Sequence, residues 1–304
     1  MIVPRTRQIT AMLAYVGLPV LTLLLYDLGV VVAYKVLHWN WVALPHIPLA
    51  LYGSAIGIVV AFRNQSSYAR WWEARILWGA IINNSRSLAR QVTTVMMPLN
   101  DTEAEELKVV QRRLVYYQIA YAHALRQQLR GLEPWEELAP LLSEQELREL
   151  RDEKNIPLAI QQQIGALLRE CQVRGWVDIA HWRALDASLD DLLDAQGGTE
   201  RIKNTPMPKQ YDYFPQLFVQ MYCVLLPLAL VTNMGWFTPL GSTFVGFMFL
   251  ALDQIGRDLE DPFENTIYDV PLTSITTTIE INLRQLLGET VLPQATTPVH
   301  GVLW

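Results

Sequence analysis

The chain of 304 residues is poor in charge, cysteine and histidine, and the charge it lacks is not missing evenly. Only 18% of its residues are Asp, Glu, Lys or Arg, against 51% hydrophobic, where soluble domains carry about 25% charged residues. The deficit falls in two blocks, residues 9–62 and 213–252, which excludes an ordinary soluble domain over the whole length. The two cysteines, Cys171 and Cys223, lie in blocks of opposite character and found neither a disulfide framework nor a metal cluster. A formal net charge of −6 gives nucleic-acid binding no basis. No H-E-x-x-H, no G-x-S-x-G and no Gly-rich phosphate loop occurs, so no enzyme is expected. Glu73 and Arg75 beside Trp72 read as an ion-paired helix face.

What is present is organised around residues 45–97. Residues 47–62 carry no charge, then Arg63 arrives, and neither Pro nor Gly interrupts residues 61–78. This spacing predicts one helix that leaves a bilayer and continues as a soluble helix to about residue 97. A span needs roughly 20 apolar residues, so the polar end is expected to lie within protein. Gly53, Gly57 and Ala61 recur every four residues, a small-residue stripe that lets backbones approach closely. Ser54, Ile58 and Phe62 recur at the same interval, one position further round. Two readings of this second stripe stay open. It lines an axis shared by several copies, where apolar rings gate by dewetting, or it is packing inside one subunit.

From Phe62 to Gly79 the chain reads F-R-N-x-x-S-Y-x-R-W-x-E-A-R-x-L-W-G. This run resembles the second helix of the bacterial bestrophins, and Phe62 with Arg70-Trp71-Trp72 is shared with the animal branch. Glu260-Asp261-Pro262-Phe263 is similar to the family's acidic-Pro-Phe motif after the last membrane helix. The resemblance covers nearly the whole chain and implies a pentameric ion channel whose second helices line the pore. It implies a narrow neck at Ser54, Ile58 and Phe62, where the family carries bulky apolar side chains and Ser54 departs. It also places a cytosolic aperture near the start of a later helix, at Ile179.

Arg5 and Arg7 precede the apolar run of residues 9–37, which is too long for a signal peptide and is expected to span from a cytoplasmic start. Pro19 is expected to kink it. Asp27 is costly within a span and is expected to pair with a neighbouring helix near the outer interface. His38 and His46 lie in the following turn and read as solvated. Arg63, Arg70, Arg75, Arg86 and Arg90 mark the inner flank of the second span. Residues 63–210 form the polar block. Asp101 to Glu103 open a helix whose apolar face is Leu107, Val110, Leu114, Tyr117, Tyr121 and Leu125, broken by Pro134. Ser143 to Glu146 begin a capping box, residues 155–157 start a further helix, and Gly175 ends it. Asp178 caps a helix over residues 179–195, which Gly197-Gly198 are expected to stop. On that helix Asp186, Asp190 and Asp194 form an acidic stripe. It is either a solvated face or a lining that favours cations.

Residues 211–252 hold a third and a fourth span around an uncharged turn, and residues 253–304 a cytosolic C-terminal segment ending in a loose tail. In calcium-gated animal bestrophins an acidic run after Pro-Phe helps to form a calcium clasp. Here Asp269 keeps one ligand position and Thr266 replaces the other. Calcium favours several carboxylate oxygens, so Asp269 is at most a remnant, no cofactor is expected, and calcium is not expected to regulate. The expectation is an all-α membrane protein with four transmembrane helices and a cytosolic helical bundle. It would assemble with itself as a homopentamer in the inner membrane, with both termini cytoplasmic, and pass small monovalent ions. The acidic balance leans to cations such as sodium, while chloride is the animal branch's ion. A membrane-anchored scaffold or sensor without a pore is the competing class.

Overall fold

A computed structural model of the chain describes residue 1, residues 8–299 and residues 301–304. Arg5 and Arg7, the pair that argues for a cytoplasmic start, lie outside the described residues. The protein is all-α. Its helices are α1 (Gln8–Lys35), α2 (Leu49–Val95), α3 (Ala104–Arg130), α4 (Trp135–Leu138), α5 (Glu144–Leu150), α6 (Ile156–Val173), α7 (Ile179–Asn204), α8 (Lys209–Met234), α9 (Thr238–Glu260) and α10 (Leu272–Leu286). Short 3-10 turns occupy Asn40–Val42 and Gly235–Phe237. Strand pairing among the described residues amounts to a single bridge, Val299 to Val302.

Local chemistry explains most boundaries. In α1 the backbone leaves the helical region at Val16, with φ −125 and ψ 16. Val16 lies three residues before Pro19, whose ring crowds the carbonyl four residues back. Helix α2 is 47 residues long, about 70 Å at 1.5 Å per residue, more than twice the ~30 Å hydrocarbon core of a bilayer. Ser143 and Glu146 form the reciprocal capping box of α5. Asn155 caps α6 by accepting from the Leu158 N–H, and Asp178 caps α7 by accepting from Ala180 and His181.

Three sequence expectations are corrected. Helix α3 ends at Gly131, in the left-handed region at φ 66, before Pro134 is reached. Gly197 and Gly198 do not stop α7, which runs on to Asn204. Thr199 and Ile202 continue its buried face, and a Cβ on Gly198 would meet the Leu77 side chain at 2.8 Å. Gly198 therefore serves a close helix approach, not a cap. The C-terminal tail is tied down at its end: the Ser274 N–H donates to the Trp304 carbonyl at 2.7 Å, and the Leu303 N–H to the Met1 carbonyl at 2.8 Å.

The chain divides into two compact units. One comprises Pro4–Trp71 and Pro206–Asp261, and so holds α1, the first half of α2, α8 and α9. Its interior is thin: Leu23, Val60, Val219 and Cys223 form one cluster, and Val30, Val31, Val42 and Val231 another. Large apolar side chains lie on its outside, with Leu18, Leu25, Phe244 and Leu240 all more than half exposed. By length and apolarity, Tyr15–Lys35 and the stretch Lys209–Glu260 qualify to cross a membrane. The other unit comprises Met1–Val3, Trp72–Thr205 and Pro262–Trp304. There α3 packs against α6, α7 and α10, with Leu114, Tyr121, Leu125, Ile164, Leu185 and Ile279 buried.

Candidate functional site

The candidate site is the bare face of α2 in the first unit. Ile58 and Phe62 are 58% and 67% exposed, and Ser54, one turn earlier, is also exposed. The opposite face is closed: Val60, Arg63 and Ser67 are buried. The Ser54 hydroxyl donates to the Ala50 carbonyl at 2.7 Å, the back-bonding habit of serine in apolar helices. Ser54 therefore presents less free polarity than its identity suggests. The small-residue stripe separates into two parts. A Cβ on Gly53 would come within 2.7 Å of the Tyr222 hydroxyl on α8, whereas one on Gly57 would meet nothing. Gly53 thus serves packing within the chain.

What fixes the rotation of α2 is a buried cation that sequence reasoning passed over. Arg63, next to Phe62, is completely buried. Its guanidinium donates to the Asp253 carbonyl at 3.0 Å and to the Asp253 carboxylate at 2.9 Å. It also pairs with Asp212 at the start of α8, and Glu260 stands 3.7 Å away. Burying a charge is tolerable only when it is paired and hydrogen-bonded, and here two helices, α8 and α9, supply the partners. Asn64 adds a bond to the Leu252 carbonyl at 2.8 Å. A Cβ on Gly256 would meet the Asn64 amide oxygen at 2.3 Å, so glycine leaves the room. The signal in the sequence was Arg63 directly after an uncharged span, with acids at both ends of the later apolar block.

Of the family-motif residues, Arg70, Glu260 and Asp261 fall beside this network. Arg70 Nε donates to the Glu260 carbonyl at 2.7 Å, and its guanidinium stands 3.6 Å from Asp261. Trp71 is half-buried and Trp72 is exposed. In the other unit, the Pro262 carbonyl accepts from the Val270 N–H at 3.3 Å, and Phe263 is buried. Ile179 is the exposed first residue of α7. On the same helix Asp190 and Asp194 are exposed and Asp186 is half-buried, while Leu185, Leu189 and Leu192 point into the core. Asp27 is fully buried and accepts from the Thr243 hydroxyl at 2.9 Å, a link to α9. His38 and His46 are exposed.

Asp269 is buried and accepts from the Thr266 hydroxyl, while its second carboxylate oxygen has no partner. Burial pushes its carboxyl above the usual range, against the bonds from Thr266. One carboxylate, with the neighbouring hydroxyl turned inward onto it, does not fit a cation that takes six to eight oxygens. No cluster of three His, Cys, Asp or Glu side chains suited to a metal occurs among the described residues.

Long apolar helices, an outward-facing apolar surface and a buried Arg63 with paired acids define an α-helical membrane protein. Comparison with known proteins gives it a family. A sequence model described as Bacterial/Fungal Bestrophin protein matches residues 8–285. A voltage-dependent anion channel-forming protein of Ralstonia nicotianae is 34% identical over 256 residues, 83% of this chain and 82% of that protein. One of Escherichia coli strain K12 is 34% identical over 251 residues, 83% and 80% of the two chains. The crystal structure of a bacterial bestrophin homologue from Klebsiella pneumoniae superposes with a TM-score of 0.83 at 31% identity, covering 91% of this chain and all of that one. The chain belongs to the bestrophin family.

Proposed function

We propose that this protein is an ion channel, not an enzyme. It passes small monovalent ions through a pentameric pore whose neck is made by Ser54, Ile58 and Phe62. The observation that carries this reading is an exposed, uncharged stripe on α2 whose far side is anchored by Arg63. A bare Phe and Ile one turn apart on an uncharged helix suit an axis shared by several copies. Uncharged apolar rings gate by dewetting and leave ion sign to the flanking fields. In this reading the first unit lies in the inner membrane with four spans. The second unit and both termini are cytoplasmic, and no metal cofactor is required.

For the sign of the ion, the exposed acidic face of Asp190 and Asp194 favours cations, the first reading. The names of the relatives, anion channel-forming proteins, favour anions, the second. Recording from purified protein in bilayers tests the whole proposal. Replacing Ile58 and Phe62 together by Ala is expected to raise single-channel conductance, and an unchanged current from folded double variant removes the neck assignment. Native mass measurement in detergent should give five copies; a stable monomer removes the pore. Reversal potentials in a sodium chloride gradient decide between the two ions, and neutralising Asp186, Asp190 and Asp194 should weaken cation preference.

A further inference from the structure

In the second unit one side chain carries contacts that only a bound proton can satisfy. His123 lies on α3 with its side chain 10% exposed. Its Nδ1 is 3.0 Å from Glu137 Oε2 on α4, and its Nε2 is 3.0 Å from Glu280 Oε2 on α10. A neutral imidazole has one N–H and one lone pair, and an ionised carboxylate only accepts. Two such contacts at hydrogen-bond distance therefore need either the imidazolium or a protonated glutamate.

The surroundings decide which. Glu137 is already paired with the Arg126 guanidinium and accepts from Gln127 Nε2 at 2.8 Å. Glu280 is paired with Arg284 at 2.8 Å. Burial alone would favour the neutral acids, but these cations and His123 hold both carboxyls below their ordinary range. The proton therefore belongs on the ring. Burial opposes the imidazolium, as does Arg126; the bonds to Glu137 and Glu280 outweigh both and raise the His123 pKa. Arg130, bonded to the Thr273 hydroxyl at 2.8 Å, and Asp269 beyond it complete the charged groups on this side. A cleft of about 290 Å³, lined by His123, Glu137 and Glu280 among others, gives solvent access.

We propose that His123, Glu137 and Glu280 form a proton-binding site in which the charged ring clips α4 and α10 to α3. Loss of the proton leaves one ring nitrogen with a lone pair facing a carboxylate, so one of the two contacts opens. The folded pKa lies above the unfolded value near 6.5. The clip's contribution is therefore complete below about 6.5 and is lost as pH rises through the folded value. The site operates above about pH 6.5, and it stands whether or not the chain conducts ions.

The test is thermal unfolding of the full chain in detergent micelles from pH 5.5 to 9.5, for the wild type, His123→Gln and Glu280→Gln. The melting temperature of wild type minus that of His123→Gln is expected to be about 2–4 °C at the acid end and to shrink along a single-proton curve with a midpoint above 6.5. In Glu280→Gln the midpoint should move to lower pH. A difference that does not depend on pH, or a midpoint unmoved in Glu280→Gln, overturns the proposal. Should a variant fail to fold, hydrogen exchange on the wild type decides, corrected for the intrinsic pH dependence of the amide rates. Protection in Trp135–Leu138 or Leu272–Leu286 must fall across the same range, and constant protection in both is the overturning result.

Discussion

The two units of this chain are built by opposite rules. Where α3 packs against α6, α7 and α10, apolar side chains such as Leu114, Tyr121 and Ile164 go inside, and Arg113 and Lys108 stay outside. In the unit of α1, α8 and α9, the buried groups include Asp27, Arg63 and Asp253, while Leu18, Phe244 and Leu240 face out. On the proposed placement of the two units, the difference is one of solvent. In water, burying apolar area drives folding. In lipid that drive is gone, helix association rests on close packing and polar links, and unpaired charge must be hidden. The same twenty side chains are sorted inward or outward according to what surrounds them.

The sharpest way to break this comparison is to delete a charge from each unit. Arg63→Met leaves buried Asp253 with Arg257 alone, 3.0 Å away, takes the cation from Asp212 and half-buried Glu260, and is expected to cost about 3 kcal/mol, the low end for breaking a buried pair. Such a loss should appear as misassembled protein in size-exclusion chromatography. Arg113→Met removes the exposed side of a pair whose half-buried Glu146 keeps the Tyr117 and Ser143 hydroxyls, and should cost no more than about 1 kcal/mol. Equal losses would mean that the two interiors do not differ as described.

Adding a charge to each surface should give the next largest contrast. Met248 lies in the middle of α9 and is 50% exposed. Met248→Asp is expected to disfavour membrane insertion by about 2.5–3.5 kcal/mol, measured as the fraction inserted in an insertion assay. Val109 on α3 is 66% exposed, and Val109→Asp should stay within about 0.5 kcal/mol of the parent in thermal melts. Normal insertion of Met248→Asp would remove lipid as the solvent of that face.

A smaller effect is expected from Gly198→Ala. The new methyl would lie 2.8 Å from the end of the Leu77 side chain. Because a leucine tip can turn aside, the cost should be near 1 kcal/mol, the low end for overpacking. Alanine's better helix propensity offsets part of it. A gain in melting temperature would show that Gly198 does not serve the approach of α7 to α2.

These cases also mark what the sequence could and could not say. Helix positions and caps were legible because period and capping are local: Ser143, Asn155 and Asp178 cap as their types imply. The long α2 was legible because nothing in residues 61–78 can break a helix. Gly197-Gly198 misled because glycine marks both helix ends and close approaches, and only the neighbour Leu77 tells them apart. Arg63 with Asp212 and Asp253 was not legible because its partners lie 149 and 190 residues away. His123 was missed for the same reason, since a lone histidine in a helix says nothing until Glu280, 157 residues on, is brought beside it. Exposure of Ile58 and Phe62 could be guessed only as one of two readings, because an apolar stripe looks alike facing a neighbour or an axis.

The smallest effect concerns one exception within the second unit, a buried acid where apolar groups are the rule. Asp269 keeps one carboxylate oxygen without a partner, and such an oxygen invites the idea of a bound cation. Against it stand the Thr266 hydroxyl, which turns toward the carboxylate, and burial, which raises the carboxyl and so weakens its hold on any cation. A ligand present at a hundred times its Kd stabilises by about 2.7 kcal/mol, roughly 5–10 °C in a melt of this size. Calcium raised from zero to millimolar is expected to move the melting temperature by less than about 1 °C, well under that linkage value. In bilayer recordings the same titration should leave open probability unchanged. Asp269→Asn keeps the acceptor for Thr266 and removes the raised carboxyl, so it should melt within about 1 °C of the parent at neutral pH and respond to calcium no differently. A calcium-dependent rise of several degrees that Asp269→Asn abolishes would mean that backbone carbonyls complete a site around this one carboxylate.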